Sequence, residues 1–518
     1  IGRIFDYDLI LQASQCDEAT LLADLDQMVS AGMIHQRFRV GNPQYSFHHS
    51  LLRDAVYKGL APETRRTIHK RIVHAIDIKF RETLNEQPEL LAYHLAGSGE
   101  FEQAVSFAFI AAKRFISSSL YAETISLTTE AIEWSRNIAD RYRSIELELQ
   151  LGNVLLSALI ASTGFSSNAV RDLTLRTEEL SQQLGQDSEN LFSVLWGMII
   201  YSHARPEYDR LEVLTQRARK IALEGDKGDL AALTAMMGHR SYSKGEFDSS
   251  VALLRQALSL YDDDNHRDHA AKYGHDTKVF ALSTLSSVFV PMGLIEQAKQ
   301  AIRNALDWAD ELKSAQSSAM AMSYELAISH YLGDAAELSI RADKLIEYAN
   351  RFDLPNWLLP AQVLGAWSRG DREAAERGVQ ILDQLGVGQF ACLWNYPIAQ
   401  LEFEQGLFEQ AFKRLSKYID WSLEIQELFY LPELYRLRAL CRLNINPSET
   451  DGIVSDLDTA VERAKMSGAK LLQMRAMNAL LSISLPLPLS KRAVIARQAK
   501  QLAEWLRHEP EFMESVRS

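Results

Sequence analysis

Five glycines decide most of what this chain can fold into. Gly245 in "SKGEFDSSVALLRQAL", Gly293 in "PMGLIEQAKQAIRNAL", Gly333 in "YLGDAAELSIRADKL", Gly370 in "SRGDREAAERGVQIL" and Gly406 in "EQGLFEQAFKRL" hold one recurring position. They lie 48, 40, 37 and 36 residues apart. Each unit reads as helix, tight turn, helix, with small residues such as Ala298 and Ala411 where helices must approach closely. "GSGEFEQAVSFAFIAAKRF" around Gly99 has the same form, and "SLYAETISLTTEAIEW" echoes it. A helix pair of that length cannot bury its apolar stripe alone, so the units must stack.

That period predicts an all-α fold, a tetratricopeptide-like helical superhelix over residues 83–518. At 518 residues the chain exceeds one compact core, and its 13 prolines and 25 glycines are few enough for long helices. Residues 1–82 differ in character. "DYDLILQASQ" and "DEATLLADLDQMVSAGMI" give two short helical patterns, the second capped by Asp17 and ended near Gly32. "MIHQRFRV", "GNPQ" and "YSFHH" alternate as a β-hairpin. Helices from about Ser50 to Gly59 and from Pro62 to about Phe80 follow. Helices, a hairpin and a further helix predict a small winged-helix module.

Composition excludes several functions. The net charge of −13 argues against a dedicated nucleic-acid binder. From Arg53 to Lys79 seven Lys or Arg face three Asp or Glu. There Ile68, Ile72, Val73 and Ile76 supply an apolar face, which leaves Arg65, Arg66, Lys70 and Arg71 on a solvated or domain-facing side. Cys16, Cys392 and Cys441 are far apart without a CxxC spacing, which fits a cytoplasmic protein. No apolar run approaches the roughly 18–20 residues of a membrane span, so no membrane partner is expected. The chain starts at Ile1 without Met and reads as part of something longer.

GxxxxGK[ST], HExxH and GxSxG are absent, so no catalytic residues and no bound cofactor are expected in this segment. "GVGQFA" is a loose GxGxxA that follows a helix where a dinucleotide site needs a strand, and it reads as a repeat turn. "HRDHAAKYGHD" gathers His266, Asp268, His269, His275 and Asp276. Its spacing matches no common metal site and reads better as a polar cluster fixing a repeat junction. In "YSFHHSLLRDAVYKGL" the His48–His49 pair precedes Leu51, Leu52, Val56 and Tyr57, which mark a buried helix face. A metal site, a nucleotide contact and core packing are all open there. Trp196, Tyr201, Tyr208, Phe429, Tyr430 and Tyr435 are aromatic candidates for a superhelix groove, although core packing is the commoner fate of such residues.

"IGRIFDYDLI", "LLADLDQMVSAGMI", "YSFHHSLLRDAVYKGL" and "RRTIHKRI" resemble the tail of the STAND (AAA-like) ATPase module of bacterial multidomain signalling proteins, often placed behind a class III adenylate/guanylate cyclase domain. "PELLAYHLAGSGEFEQAVSFAFIAA", "LYDDDNHRDHAAKYGHDTKV" and "LPELYRLRAL" are similar to the repeats that follow in that family, so the resemblance covers nearly the whole chain. It implies upstream ATPase and cyclase domains as partners, with ATP/ADP bound in the ATPase and not in this segment. It also implies a protein or peptide held in the superhelix groove. "HSLLRDAV" resembles the STAND motif whose histidine touches the β-phosphate of ADP, with Ser50 where an Asp frequently stands. The resemblance thus casts His49 as a phosphate sensor and His48 as its neighbour. A signal-sensing region of a STAND-type transcription regulator is the alternative.

Overall fold

The computed structural model describes residues 4–38, 43–79, 87–184, 191–384, 387–483 and 489–507. Among them are 26 helices and one three-stranded sheet, an all-α fold of stacked helix pairs. The chain forms two compact units: Ile1–Ile116 with Leu120–Leu155 and Glu179–Asn190, and Ser117–Ser119 with Leu156–Glu178 and Leu191–Ser518. The expected boundary at residues 82 and 83 lies outside the described residues.

In the first unit, helix Glu18–Ser30 starts where the Asp17 carboxylate accepts from the Thr20 amide at 3.0 Å. It ends just before Gly32, whose φ is +69°. Strands β2 (Ile34–Phe38) and β3 (Pro43–Phe47) form the expected antiparallel hairpin. A third strand, β1 (Ile4–Asp6), pairs with the other edge of β3, and its three residues carry no alternation from which to read it. Phe5, Tyr7, Leu21, Leu25, Ile34 and Tyr45 close a small core between sheet and helices.

Helices Ser50–Gly59 and Pro62–Lys79 follow. Ile72 and Ile76 pack with Leu91 and Leu95 of helix Pro88–Ser98. Ile68, expected on that face, is 37% exposed. Val56, expected to be buried, is 59% exposed, while Leu51 and Leu52 lie outside the described side chains. Tyr57 is the residue turned inward, its hydroxyl 2.9 Å from His69 Nε2. Val56 sits one residue, hence roughly 100°, further round the helix. His69 Nδ1 in turn meets His94 Nδ1 at 2.9 Å in a buried pair.

The second unit stacks helix pairs whose members differ in kind. In helix Thr277–Met292 every residue except Lys278 and Met292 is buried, because neighbours cover it on all sides. Its partner Ile295–Leu312 buries one stripe (Ala298, Ala301, Ile302, Ala305, Trp308 and Ala309) at helical spacing and turns charge outward. Ala298 and Ala411 are fully buried, as their small size requires. The five recurring glycines all adopt positive φ, between +72° and +86°. At Gly333 the amide closes the preceding helix onto Ser329 and His330, and a Cβ there would touch nothing within 4 Å. Gly333→Ala should therefore cost about 1 kcal/mol from left-handed backbone alone, read as a lower urea midpoint with an unchanged m-value.

One helix departs from the expectation about apolar runs. Arg141–Thr163 has the length and hydropathy of a membrane span, and 78% of its apolar window is buried by packing. Local composition cannot separate a core helix buried on every side from a membrane span.

Candidate functional site

The first helices of successive pairs in the second unit turn one face toward a common interior. Leu191–Ala204, Lys227–Ser243, Thr277–Met292, Ala315–Leu332, Pro355–Ser368 and Ala391–Glu404 all contribute walls to a cavity of about 170 Å³. Phe165, Phe280, Trp357, Phe390 and Trp394 give it an aromatic lining, with Met236, Met320 and Leu393 between them. Among the described residues no Asp, Glu, Lys or Arg lines it.

Its polar groups form a chain. The Gln389 carboxamide nitrogen lies 2.7 Å from His203 Nε2, and His239 Nδ1 lies 2.8 Å from the same atom. Tyr324 Oη lies 3.2 Å from His239 Nε2. His203 Nε2 thus stands between the Gln389 carboxamide and the His239 ring, the donor in each bond following from the tautomers, and its other ring nitrogen is Nδ1. That Nδ1 is buried without a partner among the described residues, as is Nδ1 of His275, a third lining histidine. Burial holds all three rings neutral. The His239 pKa falls to about 3, helped by His275 and Arg240, and that of His275 falls to about 4. His203 is likewise pushed far down by burial and by His239.

The superhelix closes on itself at this cavity. The amides of Gly388 and Gln389 donate to Ala204 O at 3.2 and 3.3 Å. One turn further on, Leu428 and Phe429 donate to Ser243 O at 2.8 and 3.3 Å. A Cβ on Gly388 would meet Pro206 Cδ at 2.9 Å, so the approach needs glycine. Of "GVGQFA", Gly386 lies outside the described residues, and Val387–Phe390 carries this closure. Glu427 ties the two contacts together: it is 1% exposed, accepts from the Phe390 amide at 2.9 Å and takes the Tyr208 hydroxyl on its other oxygen. Burial outweighs these bonds and raises its carboxyl to about 7.

The "HRDHAAKYGHD" segment is a buried polar junction. The Asp276 carboxylate caps helix Thr277–Met292 through the Val279 amide at 2.9 Å and accepts from the Tyr261 hydroxyl at 2.7 Å. His266 Nδ1 accepts from the Asp262 amide at 2.9 Å, and His269 Nδ1 pairs with Thr277 Oγ1 at 2.8 Å. Asp268 lies at the N-terminus of the short helix His269–Tyr273. Among the described residues no group of three or more His, Cys, Asp or Glu is placed to hold a metal ion.

His49 is exposed at the N-cap of helix Ser50–Gly59, where its side chain makes no capping bond. His35, His48 and His49 lie in series with tilted rings, 4.3 Å between successive centroids. Four of the six aromatic groove candidates are core side chains. Trp196 and Tyr201 are 2% and 5% exposed, the Trp196 indole donating to Tyr273 O at 3.1 Å. Phe429 packs on Tyr242 and Phe390, and Tyr430 on Tyr331 and Tyr396. Helix Leu191–Ala204 is buried along its whole length, so its aromatics Trp196 and Tyr201 go to packing. Tyr435 is half-buried under Arg438. Tyr208 lines a broad polar groove with Glu212, Arg219, Arg240, Lys244 and Glu246, and the Arg240 guanidinium lies 3.4 Å over its ring.

Of the three cavity histidines, His275 stands in the polar "HRDHAAKYGHD" segment, whereas nothing beside His203 or His239 marks them out, although a periodic signal is present. His203, His239 and His275 recur every 36 residues, the period of a repeat.

No family model matches the sequence. An uncharacterized protein of Rhizobium meliloti (strain 1021) is 22% identical over 465 residues, covering 87% of this chain and 44% of that protein. The chain thus spans less than half the length of the curated relative it matches. Among solved structures, a Rap protein complexed with competence and sporulation factor aligns over 79% of this chain and 100% of its own, at 12% identity and a TM-score of 0.42. A STAND protein with a tetratricopeptide repeat sensor from Pyrococcus horikoshii aligns over 98% of this chain and 62% of its own, at 12% identity and a TM-score of 0.30. The Cut9–Hcn1 hetero-tetramer of the APC/C aligns over 88% and 94%, at 12% and 0.40. Scores at this level do not place the chain beside any one of them.

Proposed function

We propose that the chain is the non-catalytic regulatory and interaction segment of a multidomain signalling protein. Its repeat superhelix engages an effector, and a STAND ATPase, of which residues 1–82 are the winged-helix end, acts as the switch. The observation that carries this reading is the closure of the repeat unit on itself around an interior cavity. A ligand that binds only the closed form shifts the equilibrium toward it, and that shift is what a switch domain reads. The sequence resemblance supports an upstream cyclase as the output, and reading the residues ahead of Ile1 separates it from a transcription regulator. A protein or peptide partner has a fitting face in the polar groove beside Tyr208 and Arg240.

His49 is the contact between switch and nucleotide in this reading. Its exposed ring at a helix N-cap is free to donate to an ADP phosphate oxygen. His49→Ala in the full-length protein should weaken ADP about tenfold or more, the scale of one hydrogen bond to a charged group, and raise basal output. ADP affinity and output both at wild-type level would sink the assignment. His48→Ala should change either quantity far less.

A further inference from the structure

The cavity inside the repeat unit is lined as a ligand site would be. It is bounded by seven helices, Arg372–Gln384 adding Leu382 to the six named above, and its two ends meet in the closure at Ala204 and Ser243. Its volume, about 170 Å³, compares with cavities of about 150 Å³ that hold a benzene-sized guest. Ring faces and edges from Phe280, Trp357, Phe390 and Trp394 suit an aromatic occupant, which stacks or packs edge-on against them. Among the described residues no Asp, Glu, Lys or Arg reaches the walls, so an anion or cation would enter without a counter-charge, at high desolvation cost. That removes phosphates, cyclic nucleotides and free amino acids as occupants. A peptide main chain is also a poor fit, because each residue would bring an amide and a carbonyl into mostly apolar walls. Polar capacity is nonetheless present: the Gln389–His203–His239–Tyr324 chain and the His275 ring can fix the orientation of a guest with a hydrogen-bonding group.

We propose that this cavity binds an uncharged, planar aromatic molecule of one ring or a fused pair, carrying a hydrogen-bonding group, and that its occupancy sets how firmly the superhelix is closed. The inference rests on reading the repeat unit as the effector-binding part and names the chemical class of the effector. Phe390 links guest to closure: it lines the cavity, its φ is +56°, and its amide is held by Glu427. A guest against that ring favours the conformation in which the closure contacts are made.

Indole and phenol are suitable probes, with indole-3-carboxylate, a cyclic nucleotide and the tripeptide Gly-Trp-Gly as comparators. Saturation-transfer NMR on the whole chain should show indole or phenol binding at least tenfold more tightly than the carboxylate or the cyclic nucleotide. Hydrogen exchange at Gly388, Gln389, Leu428 and Phe429 should slow when the probe is bound. Ala327 of helix Ala315–Leu332 lines the cavity, so Ala327→Phe should fill it and abolish binding, and the milder Ala327→Met should weaken binding severalfold with circular dichroism unchanged. Absence of binding by both neutral probes, equal binding of the carboxylate, or equal binding of the tripeptide would each overturn the proposal. The underlying reading fails differently, namely if deleting the repeat unit from the full-length protein leaves its output unchanged.

Discussion

Acidification from pH 7 to pH 5 is expected to destabilise the repeat unit by roughly 4 kcal/mol. Five of its histidines are buried and held neutral: His203, His239, His269, His275 and His330. Burial is the first cause for each. It brings His239 and His269 to about 3, His275 and His330 to about 4, and His203 well below its ordinary value. A histidine whose folded pKa is depressed contributes stability that is present above its unfolded value of 6.5 and lost as the pH falls. Each such ring costs the fold about 1.4 kcal/mol per pH unit below that point. Two buried carboxylates work the other way. Burial raises Glu427 to about 7 and Asp276 to about 6, so their contribution is present below their unfolded values and lost as the pH rises through the folded ones. Glu325, also raised by burial, acts in the same sense.

Five rings against these carboxylates leave a net loss of roughly 3 kcal/mol per pH unit. From pH 6.5 down to pH 5 that amounts to roughly 4 kcal/mol, a large share of the about 5–15 kcal/mol a domain holds. The free energy of urea unfolding, plotted against pH, should fall steadily between about pH 6.5 and 5. His275→Asn should make its slope shallower by the share of one proton. Full helicity with an unchanged Tm at pH 5 would contradict the account. In the first unit His69 and His94, lowered by burial to about 4 and about 2, act in the same direction.

What the sequence revealed and what it withheld follow from the range of the interactions. A C-terminal glycine at left-handed φ is a local demand, so Gly245, Gly293, Gly333, Gly370 and Gly406 mark the turns without knowledge of anything distant. The Asp17 cap and the hairpin are local in the same way. The cavity is not. His203 and His239 touch across 36 residues, and Tyr208 and Glu427 across 219. Nothing near Glu427 in the sequence says that its carboxylate will be buried. The aromatic candidates show the same limit: Tyr208 and Tyr430 look alike in sequence, yet one lines an open groove and the other is core. That difference depends on the superhelix phase, which no single helix specifies. "HRDHAAKYGHD" lies between, since its cap at Asp276 is local while its Tyr261 and Ser317 partners are not.

The "LPELYRLRAL" segment carries the second large expectation. Glu433 is 2% exposed and would be costly alone. Arg436 donates to its Oε2 through Nε at 3.0 Å and Nη2 at 2.7 Å, and Tyr396 adds its hydroxyl at 2.8 Å. Arg475 stands 3.7 Å from the other oxygen. Burial pushes the Glu433 carboxyl up, but Arg436 and Arg475 outweigh it and hold it below its ordinary value. One carboxylate thereby joins three first helices: Leu431–Ile445, Ala391–Glu404 and Lys470–Ser482. Arg436→Met leaves that charge only the Tyr396 hydroxyl and the more distant Arg475, and should destabilise the repeat unit by about 3 kcal/mol in urea unfolding at pH 7.5. Glu433→Leu combined with Arg436→Met replaces the pair by apolar groups and should recover most of the loss, because what costs is the unpaired ion and not the missing bond. The cycle separates two roles for this segment. A large single-mutant loss with recovery in the double means the pair spares a buried charge, and the stacking energy lies in the apolar contacts around it. A double mutant as unstable as Arg436→Met would instead place the stacking energy in the ion pair itself.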